Sequence, residues 1–217
     1  MGYKHIIWDW NGTLLDDRHF SVDIMNGVLR RRRMQEMTEK WFLDNFCFPV
    51  KDYYIKLGFD FEKEPFSVSG SEFIQNYMHR HHEPSLHTEA ALLLHYFKDK
   101  GITQSLLSAA SQTMLDDILQ YHDIKDYFIK IIGQDNHYAN GKEITGKAWV
   151  DELRYGSHEV LFIGDTNHDH EVANLIGADC VLVSNGHMSQ LRLAQTGVPV
   201  FDSLSGVMNW FEDQVKI

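Results

Sequence analysis

The sequence predicts an α/β protein: a Rossmann-like, doubly wound parallel sheet with a small inserted α-helical cap domain. Strand-like apolar runs alternate with helical patterns from about residue 85 onward, and one more apolar run opens the chain. Residues 17–84 have helical spacing without a run of β-branched residues. Because strand–helix repeats favour parallel sheets covered on both faces, we predict a core domain at 1–16 and 85–217 and a cap at 17–84.

Each element follows from the period of its apolar residues and from the residues that end it. For example, Gly101 ends the predicted helix "TEAALLLHYFKDKG". The predicted strands are 4–10, 102–108, 127–133, 159–165, 179–186 and a short one after 199. The predicted core helices are 88–101, 111–123, 142–156, 168–178 and one that closes the chain, and the cap helices are 19–33, 38–46, 50–59 and 69–82.

Composition excludes several functional classes. The 217 residues include 43% hydrophobic side chains, enough for a sizeable core, and the formal net charge of −11 argues against nucleic-acid and membrane partners. No apolar run approaches the ~20 residues that span a bilayer. Two cysteines in unlike contexts, and an N-terminus that begins directly with a strand-like segment, favour a reducing cytoplasm.

Acidic side chains stand where predicted strands end. Asp9 and Asp165 each follow an apolar run, and Asp169 comes four residues after Asp165, about one helical turn on. Each acid alone is readily explained as a turn residue, a helix cap or a first-turn acid favoured by the helix dipole. Three acids at matching ends of parallel strands instead suit a hard divalent cation such as Mg²⁺.

Several residues near these ends suit a phosphate group. The turn at Asn11-Gly12 tolerates positive φ, and its N–H groups could form an anion nest. Ser108, with the N–H of Ala109, could hold a phosphate oxygen, although capping the next helix explains the serine equally well. Lys142 and Lys147 both precede the strand that ends at Asp165 and could supply positive charge.

The motifs "DWNGT" (9–13), "LLSAA" (106–110), "GKEITGK" (141–147) and "IGDTNHD" (163–169), in this order, resemble the haloacid dehalogenase superfamily, in particular its phosphoglycolate-phosphatase-like members with a helical cap. The resemblance covers the whole chain. It implies an Mg²⁺-dependent phosphatase that hydrolyses a small phosphorylated metabolite through an aspartyl-phosphate. The implied nucleophile is Asp9, and the implied Mg²⁺ ligands are Asp9, the Asn11 carbonyl, Asp165 and Asp169. Gly12, Thr13, Ser108, Ala109 and a lysine would bind the phosphoryl group.

The resemblance favours Lys142 over Lys147, because a lysine 23 residues before the metal-binding aspartate is common in the family. One position departs from the pattern. The family's phosphatases usually carry an aspartate two residues after the nucleophile, which protonates the leaving alcohol and later activates water. Here that residue is Asn11, whose amide cannot move a proton at neutral pH.

Asn11 leaves four alternatives open. The chain is a phosphatase that favours good leaving groups or uses another proton carrier, such as His168; or the second step is slow, so that the phosphate is mainly transferred or stays bound. Alternatively, it is a regulatory or binding relative that holds a phosphorylated ligand without hydrolysis, or it cleaves a C–P bond as phosphonatases do. The last needs a cap lysine, for which Lys40, Lys51, Lys56 and Lys63 are available.

Two further stretches of the sequence are predicted to contribute little to function. The basic run "LRRRR" (29–33) reads as a solvated helix face that pairs with nearby glutamates, with steering of an anionic substrate as the alternative. The histidines of "MHRHHEP" (78–84) have no cysteine or acid at a spacing typical of a transition-metal site.

Overall fold

A computed structural model describes residues 2–134 and 142–215. The strands are β1 (His5–Trp8), β2 (Leu15–Asp16), β3 (Ser85–Leu86), β4 (Thr103–Ser111), β5 (Lys130–Gln134), β6 (Val160–Gly164), β7 (Asp179–Val183) and β8 (Val200–Phe201). The helices are α1 (Arg18–Arg31), α2 (Glu39–Asn45), α3 (Val50–Lys56), α4 (Phe66–Arg80), α5 (Ala90–Asp99), α6 (Gln112–Tyr121), α7 (Lys142–Leu153), α8 (Asn167–Ile176), α9 (Gln190–Leu193) and α10 (Leu204–Val215).

Six strands form one parallel sheet in the order β5-β4-β1-β6-β7-β8. The first strand, β1, lies in the middle, where His5 aligns with Thr103 on one side and Val160 on the other. The strand order reverses direction across β1, so the chain winds to both sides of it. This is the predicted doubly wound sheet, and the carboxyl ends of β1, β4 and β6 meet at one edge.

Apolar side chains cover both faces of the sheet. On β1, Ile6 and Trp8 point into one hydrophobic cluster with helices α5 and α10, while Ile7 points into a second cluster with α8. Since successive strand residues face opposite sides, a strand buried on both faces is apolar throughout. That requirement explains the short apolar run before Asp9.

The helices α1–α4 lie between β2 and β3, which pair with each other antiparallel. Leu15 aligns with Leu86, so the chain leaves the core and returns to it at neighbouring points. These helices have a hydrophobic cluster of their own, which includes Met25, Phe42 and Tyr54. A separate apolar cluster supports the predicted division into core and cap, which remains our interpretation.

Element types match the predictions, but some bounds differ. The strand predicted at 102–108 extends as β4 to Ser111, with a register shift between Leu107 and Ser111. Ser108, predicted as the last residue of the strand, therefore lies three residues before its end, within the irregular part. None of the helices in the described ranges is both long and apolar enough to cross a bilayer.

Candidate active site

The three acids predicted to act together lie close to one another at the carboxyl ends of the central strands of the sheet. Asp9 directly follows β1, Asp165 follows β6, and Asp169 lies in the first turn of α8. One carboxylate oxygen from each lies within 4.8 Å of the others. All three side chains are buried, Asp165 completely. Adjacent parallel strands bring their carboxyl ends together, and this places Asp9 beside Asp165.

Asp169 also completes the cap of α8. Its Oδ2 accepts hydrogen bonds from the Thr166 backbone N–H at 3.0 Å and the Thr166 hydroxyl at 2.8 Å, and Thr166 Oγ1 accepts in turn from the Asp169 N–H. This capping box fixes the orientation of the carboxylate. Asp169 can therefore cap helix α8 with one oxygen and bind a metal ion with the other, because a carboxylate has two oxygens.

Glycines surround the carboxylates closely. A Cβ atom on Gly12 or Gly186 would collide with the Asp165 carboxylate, and one on Gly164 would collide with Asp169. Gly12 also has a φ of +78°, which favours glycine. The chain thus leaves just enough space for the acid cluster, and Gly186 is a site residue that the sequence motifs did not reveal.

The electrostatics of the cluster call for a cation. Burial raises the pKa of Asp165; His187 acts to lower it, while Asp169 and Asp9 raise it further. The His187 backbone N–H donates to Asp165 Oδ2 at 2.6 Å, and the Thr13 hydroxyl donates to Oδ1 at 3.1 Å. Three buried carboxylates so close together repel one another, and an oxygen-binding divalent cation such as Mg²⁺ would offset that repulsion.

A second buried group lies beside the triad and was not expected from the sequence. Asp17, the single residue between β2 and α1, accepts hydrogen bonds from Asn11 Nδ2 at 2.8 Å, from the Tyr77 hydroxyl at 2.7 Å and from the Gly12 N–H at 2.9 Å. Tyr77 comes from α4, so this group joins cap and core. Asn11 Nδ2 also contacts the Tyr77 oxygen at 2.8 Å.

His187 is the cationic partner of Asp17. Its Nε2 donates to Asp17 Oδ1 at 2.9 Å. Burial acts to lower the pKa of His187, but the charge of Asp17 and its hydrogen bond raise the pKa to about 9. Burial acts to raise the pKa of Asp17, and His187, Tyr77 and Asn11 together lower it. Little in the sequence indicated the pair of Asp17 and His187: the one is an acid shortly after the "DWNGT" turn, and the other is a histidine after Gly186 in no recognisable motif.

Some of the predicted phosphate-binding residues line the cavity, whereas others are engaged in hydrogen bonds with the acids. Ser108 and Ala109 line the cavity above the acids, and the Ala110 N–H donates to Ser108 Oγ at 3.1 Å. Thr13 is fully buried and donates to Asp165. The Gly12 N–H is engaged by Asp17. The Asn11 side chain reaches the cavity wall.

The structure describes the side chain of one of the two candidate lysines, Lys147. Lys147 points away from the site and pairs with Asp151 one turn along α7, at 2.7 Å, with half of its side chain exposed. The structure therefore does not bring Lys147 to the acids. Lys142 begins α7, and its side chain lies outside the described residues.

A cavity of about 690 Å³ lies over the acids and extends beneath the helices α2–α4. Asp9, Ser108 and Asp169 form its base, while Phe46 and Tyr77 form part of the opposite side. His168, the proton carrier considered from the sequence, also lines the cavity and lies face-on to Phe48, with 4.6 Å between ring centroids. The site can thus hold a phosphate at its acidic base and a larger group above.

Residues 6–183 match the family model described as haloacid dehalogenase-like hydrolase. The chain belongs to this family. Its haloacid dehalogenase-like fold recurs in a predicted phosphatase from Clostridium acetobutylicum, with a TM-score of 0.80, 19% identity and full coverage of both chains.

Two further solved structures share the haloacid dehalogenase-like fold. A predicted phosphoglycolate phosphatase from Haemophilus somnus has a TM-score of 0.77 and 16% identity, with 95% of this chain and 97% of that chain covered. A haloacid dehalogenase-like family protein from Streptococcus pneumoniae has a TM-score of 0.78 and 16% identity, with 96% and 98% covered. No protein with a curated description matches the sequence.

Proposed function

We propose that this haloacid dehalogenase-like hydrolase is an Mg²⁺-dependent phosphatase that hydrolyses a phosphate monoester of a small metabolite. The observation that carries the proposal is the buried cluster of Asp9, Asp165 and Asp169 at the base of a cavity. The names of the structural relatives, which include a predicted phosphatase and a predicted phosphoglycolate phosphatase, support the same reaction class.

In the proposed mechanism, Asp9 is the nucleophile. Its carboxylate oxygen forms a bond to phosphorus while the bond from phosphorus to the ester oxygen breaks, and water later cleaves the aspartyl-phosphate. Mg²⁺, held by Asp9, Asp165, Asp169 and the Asn11 carbonyl, would supply charge compensation for the phosphoryl oxygens. Ser108 and the Ala109 N–H would hold two of those oxygens.

The leaving alkoxide must take a proton, and Asn11 cannot provide it. Loss of a general acid typically costs ~10²–10⁴ in rate. We therefore expect slower turnover than in relatives with an aspartate at this position, and a preference for esters whose alcohols leave easily.

The proposal is tested by phosphate release from p-nitrophenyl phosphate and a panel of alkyl phosphates, with Mg²⁺ and with EDTA. Wild type should release phosphate only with Mg²⁺, and Asp9→Asn should lose activity by at least about 10³-fold, since it removes the nucleophile. Asp99→Asn, which removes an exposed acid on α5, is the matched control and should behave as wild type. Equal activity in wild type and Asp9→Asn would refute the mechanism.

One observation favours a second candidate, binding of a phosphorylated ligand without turnover. The Asn11 amide donates hydrogen bonds to Asp17 and Tyr77. The side chain at this position is therefore fixed by contacts that do not involve proton transfer to a leaving group. If wild type releases no phosphate but binds phosphate esters in calorimetry, and Asn11→Asp gains turnover, this alternative replaces the phosphatase.

Cleavage of a C–P bond stays as a third candidate. Of the four cap lysines, Lys51 lines the cavity, whereas Lys40 and Lys63 form exposed ion pairs and Lys56 contacts the Asn45 carbonyl and Cys47. Borohydride should trap a Schiff base on Lys51 with a β-carbonyl phosphonate if this chemistry operates, and Lys51→Arg should abolish trapping.

A further inference from the structure

The upper part of the cavity is lined by aromatic and aliphatic side chains. They come from the cap and from the segment between α2 and α3: Phe46, Phe48, Phe66, Phe73, Ile74 and Met78. These side chains line the same cavity as Asp9, Asp165 and Asp169, so they are neighbours of the alcohol portion of any phosphate ester that the acids hold. At about 690 Å³ the cavity is within the range of sites that enclose drug-sized ligands, ~300–1,000 Å³.

The same wall offers little positive charge. Among the described lining residues, Lys51 is the one lysine or arginine, and it is exposed, with its ammonium 5.5 Å from the centre of the Phe61 ring. The arginines of α1 do not line the cavity. Arg30 forms an exposed pair with Glu36, and Arg32, just after α1, forms partly buried pairs with Glu64 and Glu72. His187 also lines the cavity, but its Nε2 is already paired with Asp17. Within the described ranges, an alcohol with its own carboxylate would therefore meet few cations.

We propose that the substrate is the phosphate ester of a bulky, apolar alcohol, preferably one that carries an aromatic ring. This inference rests on the proposed phosphatase function and names its substrate class. Apolar surface that leaves water on binding stabilises the complex, and aromatic rings gain further from edge-to-face contacts with a wall such as this one. A compact ester with a carboxylate besides its phosphate, such as phosphoglycolate, would leave most of the apolar wall uncovered.

Two residues on α4 are suited to set this preference. Ile74 and Met78 lie one helical turn apart, so they share one face of the helix, and both line the cavity. Neither belongs to the hydrophobic clusters found in the described ranges, whereas Phe73 does. Their apolar surface therefore serves the cavity more than the cap core.

The experiment compares kcat/KM for 2-phenylethyl phosphate, ethyl phosphate and phosphoglycolate, all monoesters of primary hydroxyl groups. Wild type should prefer phenylethyl over ethyl phosphate by at least about tenfold, the gain expected from burying a phenyl ring. Ile74→Arg and Met78→Arg should lower kcat/KM for phenylethyl phosphate relative to phosphoglycolate by at least about tenfold, because each replaces apolar wall with a cation. Met78 is 42% exposed, so its replacement should not disturb folding.

Ile55→Arg is the matched control. Ile55 lies on the cap helix α3, is 53% exposed and is not a lining residue, so its variant should keep the wild-type preference. If wild type prefers phosphoglycolate over phenylethyl phosphate, the phosphatase proposal stands and the aromatic substrate class is overturned. If no ester is hydrolysed by wild type with Mg²⁺, both proposals fail.

A separate observation concerns the histidines that follow α4. His81 Nε2 and His82 Nε2 lie 2.6 and 2.7 Å from the same oxygen, Asp117 Oδ2, on α6 of the core. Their ligand atoms all lie within 4.8 Å of one another. The sequence did not reveal this group, because its acid lies 35 residues beyond His82.

The second nitrogen of His81 also points to a metal. His81 Nδ1 lies 2.6 Å from the Met78 carbonyl, which can only accept, so Nδ1 carries a proton. In neutral His81 the lone pair is then on Nε2 and faces the carboxylate. Metal-binding histidines typically donate the other ring nitrogen to a carbonyl in this way. A metal ion bound by Nε2 and by the carboxylate would give both atoms a favourable contact.

We infer that His81, His82 and Asp117 form a site for Zn²⁺ or a similar transition-metal ion, with water as the fourth ligand, which joins the end of the cap to the core. Tetrahedral zinc with bonds of 2.0–2.1 Å holds its ligand atoms about 3.3 Å apart, so the side chains must open slightly. The exposed side chains of His82 and Asp117 have the freedom to do so. Imidazole nitrogens favour this class of metal over Mg²⁺.

The test is Zn²⁺ titration by calorimetry and thermal unfolding, in excess Mg²⁺ to occupy the acid cluster, with the Asp9→Asn variant as background. Asp9→Asn should bind one Zn²⁺ per chain, with an unfolding midpoint that rises with Zn²⁺. Adding His82→Gln or Asp117→Asn should abolish both effects. Adding His95→Gln, which breaks the exposed pair with Asp99 on α5, should leave them intact. No saturable binding, or equal binding in all variants, would overturn the site.

Discussion

Asn11 makes contacts that its aspartate counterpart could not make. Its Nδ2 donates to Asp17 Oδ2 at 2.8 Å, and Asp17 is buried. A carboxylate at position 11 would place two acceptors against each other. The departure from the family pattern and the buried Asp17 are therefore linked: an amide at one position suits a charged acid at the other.

This link predicts a non-additive pair of substitutions. Asn11→Asp should lower the free energy of unfolding by about 1–3 kcal/mol, the usual cost when a buried group loses its partner. Asn11→Asp with Asp17→Asn restores a donor opposite an acceptor and should recover part of that loss. Urea unfolding of the two single variants and the double variant measures the coupling. If the two changes add without coupling, the contact between Asn11 and Asp17 does not contribute to stability.

At the scale of the element, β1 shows how far sequence reasoning reaches. Its apolar residues predicted a buried strand, and the acid after it predicted a functional sheet edge, because both follow from local pattern and parallel topology. Asp165 and Asp169 were found in the same way. The haloacid dehalogenase-like motifs then ordered these pieces into one fold.

Contacts between distant elements were not predictable in this way. Tyr77 on α4 and His187 after β7 reach Asp17 across 60 and 170 residues, and no periodicity connects those positions. The aromatic wall of the cavity was equally hidden, since helical spacing shows which residues share a face but not what that face meets. The pairing of His82 with Asp117 belongs to the same class.

His5, the first residue of β1, predicts a pH effect on stability. It is fully buried between Thr103 and Ser105, at 2.7 and 2.8 Å from their hydroxyl oxygens, and burial lowers its pKa from 6.5 to about 4. Between those values the unfolded chain binds a proton and the folded chain does not. Its stabilising contribution is therefore present above pH 6.5 and is lost as the pH falls toward 4.

The expected loss from this one group between pH 7 and pH 4 is roughly 3 kcal/mol. His5→Gln has no such titration, so its free energy of unfolding should fall less steeply over that range, whatever its value at pH 7. Urea unfolding at half-unit pH steps compares the two slopes. Parallel curves for wild type and His5→Gln would show that His5 is protonated in the folded chain or does not titrate in this range.

At the scale of the whole molecule, cap and core meet through polar contacts around the cavity. Arg192 Nη1 and the Ser189 N–H, both from the core, donate to the Leu43 carbonyl in the cap at 3.0 and 3.2 Å. Tyr77 reaches Asn11 on the other side. Ring contacts of Phe42 and Phe46 with His187 accompany these hydrogen bonds, so both polar and apolar contacts hold cap and core together around the cavity.

If the buried acids hold Mg²⁺ as proposed, the stability of the whole fold depends on Mg²⁺. The chain has a net charge of −11, and three of its carboxylates share one buried site. An ion that binds the folded chain and not the unfolded one adds RT ln(1 + [Mg²⁺]/Kd) to stability, about 2.7 kcal/mol at 100 times Kd. Without Mg²⁺ the same carboxylates repel one another and reduce stability.

The effect of Asp9→Asn on the unfolding temperature should therefore depend on Mg²⁺. In EDTA the variant should unfold at the same or a higher temperature than wild type, because one of three buried like charges is gone. With rising Mg²⁺ the midpoint of wild type should climb, and that of Asp9→Asn should climb less, so the difference shrinks or reverses. Potassium chloride at matched ionic strength separates binding from screening, and Asp99→Asn, an exposed acid, should follow wild type. An equal rise in wild type and Asp9→Asn would place the stabilising ion somewhere other than the acid cluster.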